Sequence, residues 1–292
     1  MTARITTSNV RTNGVDFTYL ECGSGPLALC LHGFPDSAHT WRHLLPALAD
    51  AGFRAVAPFM RGYAPTSVPE DGLFQTGALS ADANALHDVL GGGTDAVLVG
   101  HDWGARAVYG AAGSARDRWS RVVGMAVPPG GAMGAALLTD RSQLKRSWYM
   151  FFFQHPLADM VVPADDLAFI DELWGDWSPG HDATDDLPHV KACLREPVNL
   201  SAALGYYRAT LGNGPRDTDL DTIEAAGGAE LPQPTLYLHG RDDGCVGVEV
   251  AELARAMCPW ATVEIVGGAG HFLQLERPSV VNELVVDFLT AS

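Results

Sequence analysis

The sequence predicts an α/β fold: a mostly parallel sheet of eight strands, covered by helices on both faces and interrupted by an inserted helical piece. Three observations point to it. Short apolar runs alternate with helical stretches through both ends of the chain, and that rhythm stops between Pro128 and Pro232. In addition, 47% of the 292 residues are hydrophobic, which is ample for one large buried core.

The elements follow in order. Residues 5–10 and 15–21 flank Asn13-Gly14, a pair that takes the positive φ angles of a tight turn, so they read as a β-hairpin. Six apolar runs come next: 27–31, 53–58, 96–99, 122–127, 235–238 and 263–266. Continuous rather than alternating apolar strands indicate a parallel sheet buried on both faces. Helices are expected over 41–51, 80–90, 103–115, 248–257 and 278–289. In the last of these, Val281, Leu284, Val285, Phe288 and Leu289 share one face. Residues 129–231 hold no strand-like run, so they are read as a helical cap inserted into a core of residues 1–128 and 232–292. Within the cap, 148–154 is an aromatic run, and 212–233, rich in Gly, Pro and Asp, is expected to be a linker.

Composition excludes several classes. With 19 Lys+Arg against 35 Asp+Glu, the net charge of −16 repels phosphate backbones and anionic lipid, so neither nucleic acid nor membrane is an expected partner. No apolar run approaches the ~20 residues that span a bilayer. The N-terminus lacks a signal-peptide core, so a cytoplasmic protein is expected. Cys22, Cys30, Cys193, Cys245 and Cys258 are scattered without metal-site spacing, so neither a disulfide framework nor a metal is expected.

The strongest local pattern is Val97-Leu-Val-Gly100-His101-Asp102-Trp103-Gly104-Ala105. An apolar strand ends at Gly100 and a helix begins at once, so Asp102 stands on a sharp strand-to-helix elbow that has room only for glycine at its flanks. By itself the spacing also fits an ordinary helix N-cap. The other motifs favour a nucleophile. Gly270-His271-Phe272 follows the last strand and supplies a general base, His271. Arg241-Asp242-Asp243-Gly244 offers two candidates for the acid that orients it. Spacing favours Asp243, with Asp242 pairing with Arg241 or capping the turn. His32-Gly33-Phe34-Pro35 follows the first parallel strand, placing the backbone N–H groups of Phe34 and Trp103 as an oxyanion hole. A carboxylate nucleophile is already ionised at neutral pH and can displace a leaving group from saturated carbon. Epoxide opening and carbon–halogen cleavage therefore fit better than ester or peptide hydrolysis.

Together, His-Gly-Phe-Pro (32–35), Arg-Gly-Tyr (61–63), Gly-His-Asp-Trp-Gly (100–104), Gly-Arg-Asp-Asp (240–243) and Gly-His-Phe (270–272) resemble the epoxide hydrolases of the α/β-hydrolase superfamily, over nearly the whole chain. The resemblance implies the α/β-hydrolase fold and two cap tyrosines that donate to the epoxide oxygen. Tyr149 matches the first and Tyr207 the second, with Tyr206 as the competing assignment. It also implies an apolar substrate site built from Phe34, Trp103, Phe152, Phe153 and Phe272. The expected partners are a small epoxide and water, with no cofactor; a homodimer is left open. Haloalkane dehalogenases share the Asp-Trp pair but resemble His-Gly-Asn-Pro where this chain has Phe34. Fluoroacetate dehalogenases look similar at His-Gly-Phe-Pro but carry arginine where this chain has Trp103; Arg106 matches their second arginine. A dehalogenase, or a non-catalytic small-molecule receptor on the same fold, is the alternative.

Overall fold

The computed structural model describes residues 4–212 and 214–291. Among these, eight strands form one sheet: β1 Thr6–Thr12, β2 Val15–Gly23, β3 Leu27–Leu31, β4 Arg54–Pro58, β5 Ala96–His101, β6 Trp119–Met125, β7 Thr235–Gly240 and β8 Ala261–Val266. Their order is β1-β2-β4-β3-β5-β6-β7-β8. The hairpin turn sits where the sequence places it, with Asn13 at φ 47° and Gly14 at φ 73°. β2 runs antiparallel to β4, and every pair from β4 through β8 is parallel. Strands β3, β5 and β7 are buried along their whole length. β8 is buried only at Val263 and Val266, because it forms the sheet's edge and one face meets solvent.

The chain lays β4 on one side of β3 and then returns to lay β5 on the other. Connections that leave in opposite directions open a crevice at the carboxyl ends of the two strands. The elbow at Asp102 and the turn at Gly33-Phe34 both fall there.

The helices are α1 Leu44–Asp50, α2 Thr76–Val89, α3 Trp103–Ser114, α4 Ala132–Thr139, α5 Arg141–Arg146, α6 Trp148–Phe152 and α7 Ala158–Val161. They continue with α8 Ala164–Trp177, α9 Leu187–Leu194, α10 Pro197–Thr210, α11 Thr218–Ala226, α12 Val248–Met257, α13 Leu273–Glu276 and α14 Pro278–Thr290. Helices α4 to α11 fill the stretch between β6 and β7. No helix among the described residues is long and apolar enough to cross a membrane.

Three elements differ from the sequence reading. The helix expected over 41–51 is a 3-10 turn, Ala38–Trp41, followed by α1. Pro46 has no N–H to offer the Arg42 carbonyl, so it belongs in a helix's first turn and forbids an earlier start. Helix α2 begins at Thr76, one turn before position 80. The expected linker contains α11, whose cap residue Asp217 accepts from the Asp219 N–H at 2.9 Å. Gln75 then binds α11 from the core, donating to the Asp217 carbonyl and the Asp221 carboxylate and accepting from the Asp217 N–H.

Candidate active site

Asp102 occupies the elbow between β5 and α3 at φ 53°, ψ −115°, a conformation that non-glycine residues seldom adopt. Its N–H is held by the Met125 carbonyl at 3.1 Å, and its own carbonyl accepts the Ala105 N–H at 3.0 Å. A Cβ at Gly104 would run into the Leu31 carbonyl, so only glycine lets α3 start this close to β3. The carboxylate is buried. Burial pushes its pKa above the ordinary aspartate value, opposed by His271 and by the backbone N–H groups of Phe34 and Trp103.

The Phe34 N–H donates to Asp102 Oδ1 at 2.8 Å. Its orientation is set by His32. The His32 ring accepts the Met60 N–H on Nε2 at 3.0 Å, so Nδ1 carries the proton and donates to the Gly33 carbonyl at 2.9 Å. That carbonyl and the Phe34 N–H belong to one peptide plane and point in opposite directions. Fixing one therefore aims the other at Asp102. Burial drives the His32 pKa down to about 4, which keeps this tautomer neutral.

His271 Nδ1 lies 2.9 Å from Asp243 Oδ2, and its Nε2 lies 3.9 Å from Asp102 Oδ2. The second distance is too long for a hydrogen bond, and Nε2 has no partner among the described residues. Burial acts to lower the His271 pKa, but the carboxylates of Asp243, Asp102 and Glu276 together outweigh it and the net displacement is upward. Asp243 Oδ1 accepts the N–H groups of Cys245 (2.7 Å) and Val246 (2.8 Å). Of the two adjacent aspartates it is Asp243 that meets the histidine, while Asp242 is exposed.

The loop carrying His271 is held at three successive N–H groups. Gly270 donates to Glu276 at 2.8 Å, His271 to the Trp177 carbonyl at 3.1 Å, and Phe272 to Ser178 Oγ at 3.1 Å. Ser178 in turn donates to Glu276 at 2.6 Å. The Trp177 carbonyl also accepts the Gly244 N–H at 3.0 Å, so one atom at the end of α8 grips both the Asp243 loop and the His271 loop. His101 completes the set by donating from Nε2 to the His271 carbonyl at 2.9 Å.

Aromatic rings close the crevice from above. Tyr207 on α10 is ringed by Trp103 (4.9 Å between centroids), Phe153 (5.1 Å), Phe34 (5.2 Å) and Tyr149 (5.6 Å). The Tyr207 hydroxyl is buried without a hydrogen-bond partner, whereas that of Tyr149 meets Cys245 Sγ at 3.3 Å. Burial raises both phenols' pKa values, and the nearby Asp102 carboxylate adds to the shift. Tyr206 is the structural neighbour: its hydroxyl donates to the Arg61 carbonyl at 2.8 Å.

Of the expected substrate-lining residues, Phe34, Trp103 and Phe153 belong to this cage. Phe272 lies behind His271, stacked on Trp174 at 3.6 Å. Phe152 is not brought to the site. It packs on Trp148 and Phe169, because on α6 Tyr149 and Phe153 share the inward face and Phe152 falls to its side. Nor does Arg106 reach Asp102; its guanidinium lies against the Trp103 ring, 5.4 Å from the centroid.

Sequence reasoning missed Trp177, Ser178, Glu276, His101 and Cys245. Cys245, two residues after Asp243, was findable by position; a backbone carbonyl such as that of Trp177 carries no side-chain signal. Asp243, Cys245 and His271 place ligand-type atoms within 4.8 Å of one another. They do not suit a metal ion. Both Asp243 oxygens are engaged, and burial with the neighbouring Asp243 and Asp102 keeps the Cys245 thiol protonated.

Comparison with known proteins bears on the fold and the family. The profile of the alpha/beta hydrolase fold family matches residues 26–278. The chain is 31% identical to epoxide hydrolase A of Mycobacterium tuberculosis (strain ATCC 25618 / H37Rv), over 96% of each chain. It is 32% identical to an epoxide hydrolase of Caballeronia sordidicola, over 96% of this chain and 92% of that one. The crystal structure of epoxide hydrolase A from Mycobacterium thermoresistibile is similar with a TM-score of 0.78 at 30% identity, covering 99% of both chains. The chain is therefore a hydrolase of the α/β-hydrolase fold family and belongs, within it, to the epoxide hydrolases.

Proposed function

We propose that this hydrolase opens an epoxide to a vicinal diol through an ester formed on Asp102. The observation that carries the reading is a buried carboxylate on a strained elbow with buried phenols over it, one of them, Tyr207, without a partner. The epoxide oxygen takes hydrogen bonds from Tyr149 and Tyr207. Their raised pKa values keep both protonated until the ring opens. Asp102 Oδ2 bonds to the less hindered ring carbon, the carbon–oxygen bond breaks, and a phenol gives its proton to the alkoxide. Water then attacks Asp102 Cγ while His271 Nε2 takes one proton and Asp243 stabilises the imidazolium. Negative charge gathers on Oδ1, against the Phe34 and Trp103 N–H groups. Collapse expels the diol, its departing oxygen taking the proton from His271. The second water proton, left on the Asp102 carboxyl, returns to the phenolate. Residues 129–231 act as the cap in this reading, and the cage of Phe34, Trp103 and Phe153 suits an apolar or aromatic substituent.

One turnover in heavy-oxygen water tests the route. The label is expected in the peptide containing Asp102, with the first diol unlabelled. Label found in the diol and never in the protein eliminates the ester.

A second reading has one observation in its favour. The Trp103 indole N–H is buried without a partner, and a departing halide takes such donors. An assay offering styrene oxide beside a bromoalkane separates the two activities.

A further inference from the structure

A base at His271 works only while its Nε2 stays turned to Asp102, from whose Oδ2 it stands 3.9 Å. The bond to Asp243 holds the other ring nitrogen, but a ring held at one atom still swings with its backbone. The backbone is fixed by a clip of two side chains. One is Ser178, which follows α8, and the other is Glu276, the last residue of α13.

The clip closes on the amides of the two residues that flank His271. Glu276 Oε2 accepts the Gly270 N–H at 2.8 Å, and its other oxygen accepts the Ser178 hydroxyl at 2.6 Å. That leaves Ser178 Oγ to accept the Phe272 N–H at 3.1 Å. From Phe272 through Ser178 to Glu276 the bonds run in one direction and end on a charge, so each polarises the next. Two donors, one at each oxygen, call for a carboxylate, because an amide has a single acceptor oxygen. Ser178 is 1% exposed and Phe272 fully buried, so a released Phe272 N–H could not turn to water.

Glu276 also brings a charge. The His271 ring is faced by the carboxylates of Asp243 and Asp102 and by two groups that burial keeps uncharged, the Cys245 thiol and the His101 ring at 4.9 Å. The rings of Trp177 and Phe272 complete its surroundings. Glu276 is the third carboxylate acting on the ring, in the same upward sense as the other two. Arg277, the next residue, forms no ion pair with it among the described residues; its guanidinium lies by Gly268.

We propose that Ser178 and Glu276 are positioning residues for the water-attack half of the reaction: together they fix the backbone on both sides of His271, and Glu276 adds negative charge that favours the imidazolium formed there. This deepens the ester route through Asp102 and rests on it.

Rapid-quench mixing of the full chain with styrene oxide, followed by mass analysis of the peptide holding Asp102, reads ester formation and ester breakdown separately. In Ser178→Ala, formation should be unchanged and breakdown slower by about tenfold to 10²-fold, the scale of a misplaced group, so that ester accumulates. Glu276→Gln keeps the size and one acceptor oxygen but loses the charge. The imidazolium is then less favoured and the neutral base persists further into acid, so the acid limb of breakdown should move to lower pH, by less than in Asp243→Asn. In Ser178→Ala the charge remains, and the limb should stay where it is. Breakdown at the unaltered rate in Ser178→Ala overturns the proposal, and so does an unmoved limb in Glu276→Gln. Equal slowing of formation and breakdown would reduce the pair to structural support and sink it as well. Should Ser178→Ala not fold, the limb in Glu276→Gln decides alone. Failure to trap ester on Asp102 in any of these chains is a different result, because it sinks the ester route itself.

Discussion

Tyr149 and Tyr207 are chemically identical, yet their hydroxyls start from different states. Where the Tyr149 hydroxyl is the donor to the Cys245 sulfur, 3.3 Å away, it must leave that partner before it can donate elsewhere; Tyr207 has nothing to leave. Tyr207→Phe is therefore expected to slow ester formation more than Tyr149→Phe, by about tenfold, the value of one charge-assisted hydrogen bond. Stopped-flow tryptophan fluorescence on mixing with substrate measures this step, and equal losses would contradict the asymmetry. Removing the sulfur with Cys245→Ala should bring the two variants closer together. At the same scale, the proposed mechanism has Asp243 help set the pH at which His271 works. With Asp102 and Glu276 it lifts the histidine above its ordinary value against burial, so in the proposed mechanism the neutral base for ester hydrolysis forms only as pH rises through that raised value. The acid limb of kcat should sit above the usual histidine midpoint. In Asp243→Asn the lowering effect of burial is opposed only by Asp102 and Glu276, so the limb moves to lower pH while kcat falls, on the order of 10³-fold or more. A limb that stays in place would show that Asp243 does not set the titration. Of these residues, Asp102, His271 and Asp243 were legible in the sequence, because a glycine-flanked elbow and two loops after strands leave local marks. The family resemblance favoured Tyr207 over Tyr206, but the local pattern holds no physical reason for that choice. What separates the two in the fold is that the Tyr206 hydroxyl meets the Arg61 carbonyl, a contact 145 positions away.

Among elements, the strands were legible because β3, β5 and β7 are buried on both faces and read as unbroken apolar runs. Helix α11 was hidden because its Asp-rich sequence buries no residue and is held by Gln75. The grip of the α8 terminus on the Asp243 and His271 loops was hidden more deeply, since it is made by backbone atoms. It also has little slack. A Cβ at Gly270 would come within 2.7 Å of Ser178 Cα and 2.8 Å of the Trp177 carbonyl. Gly270→Ala should destabilise the fold by about 1–3 kcal/mol, as overpacking does. It should also lower kcat, because His271 is the next residue. Urea denaturation and steady-state kinetics check both, and a variant of unchanged stability would mean that the terminus can yield.

Across the whole molecule, Arg61 ties layers together. Its guanidinium, 1% exposed, pairs with Asp82 on α2 and donates to the Leu73 carbonyl, while its own carbonyl receives Tyr206 from α10. Asp82→Ala would leave that charge buried without a partner, and a loss of about 3–5 kcal/mol in unfolding free energy is expected. A loss below about 1 kcal/mol would show that water or Asp71, 3.8 Å away, takes over. The Arg-Gly-Tyr motif was legible as a family mark; its part as a tie between the loop after β4, helix α2 and the insertion emerges only from the packing.

The carbonyl of Trp177 has a further consequence. A chain trimmed to its sheet and flanking helices would keep Asp102, Asp243 and His271, yet lose the acceptor that two of their loops share. The insertion is thus no detachable visor over a finished machine. Any lineage that exchanged it for another would have to supply a replacement oxygen at the same point in space, or watch acid and base drift apart.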